Sequence, residues 1–166
     1  MTNLAPQLPL SGRVAFVTGA GQGLGAAIAR GLAQAGARVA LADIELPAVG
    51  AVAGEIGGFA LRLDVRDEAA FRECFDRAVA HFGCVDILVN NAARTPSTSL
   101  WDITPEEWDD VLAINLRGSF FGCRIAGATC VSAAGAESST SVRWPGSRRA
   151  ARQACITRRA RPGCWR

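Results

Sequence analysis

The chain has 166 residues, of which 49% are hydrophobic and 20% charged. These values fit one soluble globular domain with a real core and exclude an intrinsically disordered chain. The net charge of +3 is the sum of two regions of opposite charge. Residues 141–166 hold eight arginines and no acidic residue, whereas the rest of the chain is acidic. The N-terminus lacks the basic segment and apolar run of a secretion signal, and no apolar stretch is long enough to span a membrane. We therefore expect a cytoplasmic location.

Short apolar runs alternate with helical periodicity along residues 1–127. The apolar runs predict four buried strands, at residues 13–18, 38–43, 59–65 and 85–90. Apolar positions at helical spacing predict helices at residues 23–36, 46–56, 67–83 and 104–127. This order predicts an α/β fold, a Rossmann-type doubly wound parallel sheet with helices on both faces. The periodicity stops at about Ala128, so we expect the sheet to be truncated after about four strands, with an irregular, disordered basic tail at 128–166.

The last predicted helix carries a clear start signal. Thr104 is placed as its N-cap, Pro105 as its first residue, and Glu107 completes a capping box.

A glycine-rich stretch, "TGAGQGLG", lies between the first predicted strand and its helix. Glycines in this position let backbone N–H groups close on a pyrophosphate, whose charge the helix N-terminus favours. The strand before and the helix after the stretch supply the context that this motif requires. We therefore predict that the stretch binds a dinucleotide through Gly19, Gln22, Gly23, Leu24 and Gly25.

Asp43 closes the second predicted strand, 18 residues after Gly25. A carboxylate there can accept hydrogen bonds from both hydroxyls of an adenosine ribose, and it would repel a 2′-phosphate. Gln22 supplies no compensating positive charge. The pattern favours NAD over NADP as the cofactor, and the alternative is a solvated carboxylate in a turn.

Four motifs in order resemble the short-chain dehydrogenases/reductases: "TGAGQGLG", "LDV", "NNAA" and "INLRGSFF". The resemblance covers residues 10–127. It implies hydride transfer at a carbonyl or secondary alcohol of a small molecule, and a homo-oligomer for the intact family form. It also implies that Asp64 and Val65 meet the adenine. Ala93 departs from a glycine of the family motif.

The same resemblance assigns three further residues. Asn90 would lie beside the adenosine ribose, Ala92 would contact the cofactor, and Asn115 resembles the asparagine that holds a water in the family's proton relay.

Other candidate residues have ordinary explanations. His81 lies at a predicted helix C-terminus, where an imidazole is common. Trp101 and Trp108 could line a substrate pocket, but a packing role is an equal alternative. The six cysteines show no metal-binding spacing, which favours reduced thiols and no metal.

The family's chemistry needs a serine after the fifth strand and a Tyr-x-x-x-Lys helix, but this chain has no tyrosine and its basic residues are all arginine. The tyrosine exchanges a proton with the substrate, and the lysine lowers its pKa. We therefore expect the chain as encoded to be inactive.

The tail itself indicates why these residues are missing. When it is back-translated and read two bases later, residues 138–146 become "IVNIGSLAG", Thr157 becomes tyrosine and Arg161 becomes lysine within "YAASK". Because both motifs appear at the family spacing, we interpret the tail as the catalytic half of a dehydrogenase gene read in the wrong frame, with the slip near Gly127.

Two alternatives remain open at this point. The chain could act as a non-catalytic NAD-binding module, or its arginine-rich tail could bind nucleic acid or an anionic membrane. For the chain as encoded, we expect an exposed sheet edge at the fourth strand, an aggregation-prone or molten state, and NAD binding that is weak or absent.

Overall fold

The computed structural model describes residues 8–96 and 98–134. Its strands are β1 (Val14–Thr18), β2 (Arg38–Asp43), β3 (Phe59–Arg62) and β4 (Ile87–Val89). Its helices are α1 (Gly23–Gln34), α2 (Leu46–Ile56), α3 (Glu68–Phe82), α4 (Pro105–Leu112) and α5 (Gly118–Ala134), with a π-helical turn (Ala113–Arg117) between the last two. The expectations for the tail after residue 134, including the shifted reading, lie outside the described residues.

The strands form one parallel sheet in the order β3-β2-β1-β4. This confirms the predicted Rossmann-type parallel sheet. Parallel strands are covered on both faces, and here two apolar cores lie on opposite sides of the sheet. One core packs α3 and α5 through Phe71, Phe75 and Ile125, and the other packs α1 and α2 through Ala29 and Val49.

The fourth strand is shorter than the predicted 85–90. Before the strand, the buried carboxylate of Asp86 accepts a hydrogen bond from Val14 N (2.9 Å) and forms an ion pair with Arg13 (3.2 Å). After it, the hydroxyl of Thr18 accepts from Asn91 N (3.0 Å). At both ends of the strand, a side chain therefore accepts a hydrogen bond from a backbone N–H group of the neighbouring chain segment. The alternation of apolar residues in the sequence does not reveal these contacts.

The predicted helix at 104–127 is two helices joined by the π-helical turn. Its predicted start is confirmed, because the hydroxyl of Thr104 accepts a hydrogen bond from Glu107 N (3.2 Å). Its end differs, because α5 continues to Ala134. The extra residues lack an apolar stripe but include alanines, whose helix propensity is high.

Val65 and Gly118 pack closely where α5 begins. A Cβ added at Gly118 would lie 2.9 Å from Val65 Cγ2. The loop after β3 is therefore pressed against the start of α5.

Across residues 8–96 and 98–134, no helix combines the length and the apolar composition needed to cross a membrane.

Candidate functional site

A cleft of about 840 Å³ opens at the carboxyl end of the sheet. The loops that follow all four strands contribute to its wall, and helix α4 with the π-helical turn closes one side. In open α/β sheets, ligands bind at this edge, outside the carboxyl ends of the strands. The position of the cleft therefore makes it the candidate site.

The glycine loop forms one wall of the cleft, and its geometry requires glycine. Gly19 and Gly23 have φ angles of +63° and +55°, a region that residues with a Cβ rarely adopt. A Cβ at Gly25 would overlap the carbonyl oxygen of Gly19. The side chain of Gln22 makes no capping hydrogen bond at the start of α1. Backbone N–H groups at this helix start favour an anionic ligand.

Asp43 lies at the end of β2 and fixes the neighbouring loop. Its Oδ2 accepts a hydrogen bond from Gly21 N (2.8 Å), and its Oδ1 accepts one from Glu45 N (3.1 Å). The half-buried carboxylate and the exposed Glu45 both line the cleft. This end of the cleft therefore carries two negative charges beside the glycine loop.

The loop after β4 is fastened to the end of β1. The side-chain amide of Asn91 donates to Thr18 O (3.1 Å) and Gly19 O (3.0 Å), and the Thr18 hydroxyl also accepts from Ala92 N (3.1 Å). Asn91 Oδ1 is a buried side-chain oxygen that lacks a hydrogen-bond partner among the described residues. Asn91 thus holds the glycine loop against the β4 loop and lines the cleft between them.

Asn90 points away from the cleft. It is 6% exposed, and its amide donates to Ser119 O (3.3 Å) and Cys123 Sγ (3.5 Å) on α5. Gly122 leaves room for it, since a Cβ there would overlap Asn90 Oδ1. The structure therefore does not bring Asn90 into the site that the family resemblance implies.

The opposite wall carries an alternating chain of four charges. Arg66 pairs with Asp64 (2.6 Å) and with Asp110 Oδ1 (2.6 Å), and Arg94 pairs with Asp110 Oδ2. Hydrogen bonds from Arg66 lower the pKa of Asp64, and hydrogen bonds from Arg66 and then Arg94 lower the pKa of Asp110. Both acids therefore stay ionised at neutral pH, and the pKa of Arg66 is raised in turn.

Asn115 lies in the π-helical turn and holds the backbone of Arg94. Its Oδ1 accepts from Arg94 N (2.8 Å), and its Nδ2 donates to Arg94 O (2.9 Å). π-helical turns are rare and occur often at functional sites. Both polar atoms of this side chain are thus engaged in positioning the β4 loop.

Ten of the eleven residues singled out from the sequence line the cleft. They are Gly19, Gln22, Gly23, Leu24, Gly25, Asp43, Asp64, Val65, Ala92 and Asn115. Asn90 is the exception.

Three other candidates lie outside the cleft. His81 stacks on Phe59 with ring centroids 4.2 Å apart, and Trp101 and Trp108 are exposed. The sequence reasoning missed Asn91, Arg66, Arg94 and Asp110. Asn91 could have been noticed as the second asparagine of "NNAA", but the three charged residues meet only through the tertiary fold.

Comparison with known proteins identifies the family. The short chain dehydrogenase family model matches residues 13–137. The chain is 43% identical to a sorbitol dehydrogenase of Cereibacter sphaeroides over 114 residues, covering 68% of this chain and 44% of that protein. It is 39% identical to a D-threitol dehydrogenase of Mycolicibacterium smegmatis, covering 76% of this chain and 50% of that protein.

A solved structure agrees with these relatives. A dehydrogenase/reductase from Sinorhizobium meliloti 1021 superposes with a TM-score of 0.68 at 40% identity, over 74% of this chain and 51% of that one. The chain thus spans about half the length of the relatives that it matches. With the parallel sheet, the glycine loop and the family match in agreement, the chain belongs to the short-chain dehydrogenase family.

Proposed function

We propose that the cleft binds NAD and that residues 1–127 are the nucleotide-binding part of an NAD-dependent oxidoreductase. The observation that carries this proposal is the hydrogen bond from Gly21 N to Asp43 Oδ2. This bond joins a glycine-rich loop of the kind that binds phosphate to a carboxylate that could accept hydrogen bonds from a ribose. Both lie at the carboxyl end of a parallel sheet.

The residues present fit this group. Gly23 is exposed and a Cβ there would meet nothing within 4 Å, so the loop backbone is open to an approaching pyrophosphate. Asp43 would accept hydrogen bonds from the ribose hydroxyls. The loop at Asp64 and Val65 would contact the adenine, and Ala92 would contact the cofactor from the loop after β4. When bound, NAD supplies the hydride acceptor for oxidation of an alcohol.

The charges of the cleft support NAD rather than NADP. Asp43 and Glu45 both line the wall beside the glycine loop, and they would repel an added 2′-phosphate. Arg66, which also lines the cleft, has its guanidinium committed to Asp64 and Asp110. A 2′-phosphate would thus have to compete with two carboxylates for that cation.

The chain as encoded lacks the residues that the family uses for catalysis. The family's tyrosine and lysine are absent, because the chain has no tyrosine and its 18 basic residues are arginines. Asn115 remains, but its carboxamide already bonds the backbone of Arg94. We therefore infer that this chain binds the cofactor without turnover, so a non-catalytic NAD-binding module describes its behaviour.

The intact form would act on a small carbonyl or secondary alcohol. Several relatives are named for sugars and sugar alcohols, among them the sorbitol and D-threitol dehydrogenases and a probable galactose dehydrogenase of Rhizobium meliloti. These names favour a polyol substrate for the intact form, which we expect to be a cytoplasmic homo-oligomer.

The proposal is tested by Asp43→Asn, with Glu55→Gln as a control that removes the same charge from an exposed ion pair with Arg30. Isothermal titration with NAD and NADP measures both affinities. We expect Asp43→Asn to weaken NAD binding by roughly tenfold to a hundredfold, since a charged hydrogen-bond acceptor contributes about 1.5–3 kcal/mol. The preference for NAD over NADP should fall, because the repulsion of a 2′-phosphate is reduced.

Glu55→Gln should leave both affinities unchanged. Absence of NAD binding in the unsubstituted chain, or equal binding by the Asp43→Asn variant, would contradict the proposal.

A further inference from the structure

One carboxylate joins the loops that follow β3 and β4, both of which line the cleft. The loop after β3 contributes Arg66, and the loop after β4 contributes Arg94. Arg66 Nη1 lies 2.6 Å from Asp110 Oδ1, and Arg94 Nη1 bonds Asp110 Oδ2. Each oxygen of Asp110 therefore holds a different loop.

The position of Asp110 suits it to this task. It lies on α4, a helix that is capped at its start by Thr104 and continues through the π-helical turn into α5. Its side chain is 23% exposed, less than those of the two arginines it binds. Each of the two ion pairs thus joins the same helix residue to a different loop.

Both loops carry residues that the proposed function uses. Asp64, Val65 and Arg66 line the cleft from one loop, and Ala92, Ala93 and Arg94 line it from the other. The backbone of Arg94 has a second attachment through Asn115, whereas the side-chain attachment of Arg66 to α4 is Asp110 alone among the described residues. Loss of Asp110 would therefore affect the loop after β3 most.

We infer that Asp110 is a positioning residue, which holds the loops after β3 and β4 together and so shapes the adenine end of the cleft. The inference rests on the proposed nucleotide site. Asp110→Asn would replace the carboxylate by a neutral amide. The guanidinium groups of Arg66 and Arg94 would then repel each other without the shared negative charge that holds them together. Opening of both loops is the expected result.

The test compares Asp110→Asn with Asp109→Asn in the full 166-residue chain. Asp109 is the matched control, because it lies on the same helix and its side chain makes no hydrogen bond or ion pair within the described part of the chain. Hydrogen–deuterium exchange is followed at residues 63–67 and 92–96, and AMP binding is measured by titration. AMP is used because it carries only the adenosine end of the cofactor.

Asp110→Asn should speed exchange in both loops about threefold to tenfold and weaken AMP binding by a similar factor, the range expected when two partly exposed ion pairs are lost. Asp109→Asn should change neither. Asp110→Glu keeps the charge and should recover most of the AMP affinity. Thermal melting of all three variants shows whether any loss is merely unfolding.

Equal exchange in Asp110→Asn and Asp109→Asn would overturn the inference, and so would faster exchange with unchanged AMP affinity. Failure of the proposed function looks different. In that case the unsubstituted chain would bind neither AMP nor NAD, whatever the exchange rates show.

Discussion

Gly25 shows how much depends on a single missing side chain. It begins the first buried turn of α1, and a Cβ there would overlap Gly19 O and crowd the Asn91 amide that holds the β4 loop. Because the obstacle is backbone, it cannot rotate away. One methyl group would therefore push apart the glycine loop, the helix start and the loop after β4.

We expect Gly25→Ala to lower the melting temperature and to remove NAD binding. Gly31→Ala, on the same helix but with nothing within 4 Å of the added Cβ, should be neutral or stabilise the chain by up to about 1 kcal/mol, because alanine is the better helix former. Thermal melting and NAD titration of both variants check this. Comparable behaviour of the two variants would show that the close approach at Gly25 is relieved elsewhere.

At the same scale, the two asparagines of "NNAA" mark what the sequence could not provide. The motif predicted an asparagine at the cofactor, but Asn90 turns toward α5 and Asn91 turns toward the glycine loop. Successive residues at the end of a strand point to opposite faces of the sheet. Which of two adjacent asparagines faces the cleft is therefore decided by the register of the strand. Register depends on pairing with β1, which no local pattern encodes.

Among the elements, the helices after residue 104 combine a predictable start with an unpredictable middle. The Thr104 cap was predictable because its signal is local. The π-helical turn was not, because it accompanies a bond between Asn115 and a residue 21 positions earlier. Likewise, Arg66 and Asp110 are 44 positions apart. Such contacts follow from the fold rather than from neighbouring residues.

The same helices expose an apolar stripe at intervals of four residues. Trp108, Leu112, Leu116 and Phe120 are 54%, 38%, 56% and 55% exposed. Contiguous exposed apolar surface promotes association.

We therefore expect Leu116→Gln to raise the monomer fraction of the chain in sedimentation velocity. Leu46→Gln is the matched control, since Leu46 is 47% exposed but lies outside the stripe. Equal effects of the two substitutions would mean that general surface hydrophobicity, rather than the stripe, drives association.

For the molecule as a whole, the parallel sheet was predictable from the sequence. Four apolar runs that each precede a helix sufficed to predict a parallel sheet. Within the described residues, β4 pairs only with β1, so its other edge has no strand beside it there. In the shifted reading, residues 138–146 supply a strand-like segment that ends near a serine.

Resequencing of the gene tests that reading. We expect one or two inserted or deleted bases between codons 125 and 137, a window that includes Gly127 and the end of the family match. Correction should restore a Tyr-x-x-x-Lys motif, and the corrected protein should oxidise a secondary alcohol with NAD. The 166-residue chain should show no turnover in the same assay.

Codons at Thr157 and Arg161 that cannot spell tyrosine and lysine in the shifted frame would rule out the slip. Turnover by the uncorrected chain would show that another acid replaces the tyrosine.

The two hydrogen bonds between the Asn115 side chain and the backbone of Arg94 have a consequence for substitutions at position 94. The carboxamide supplies one donor and one acceptor to a single residue's backbone, much as a neighbouring strand would. The path of the chain at position 94 is thereby set without using that residue's own side chain. A substitution at position 94 would remove the ion pair with Asp110 but keep these two backbone hydrogen bonds, so the path of the chain at the rim of the cleft has two independent supports.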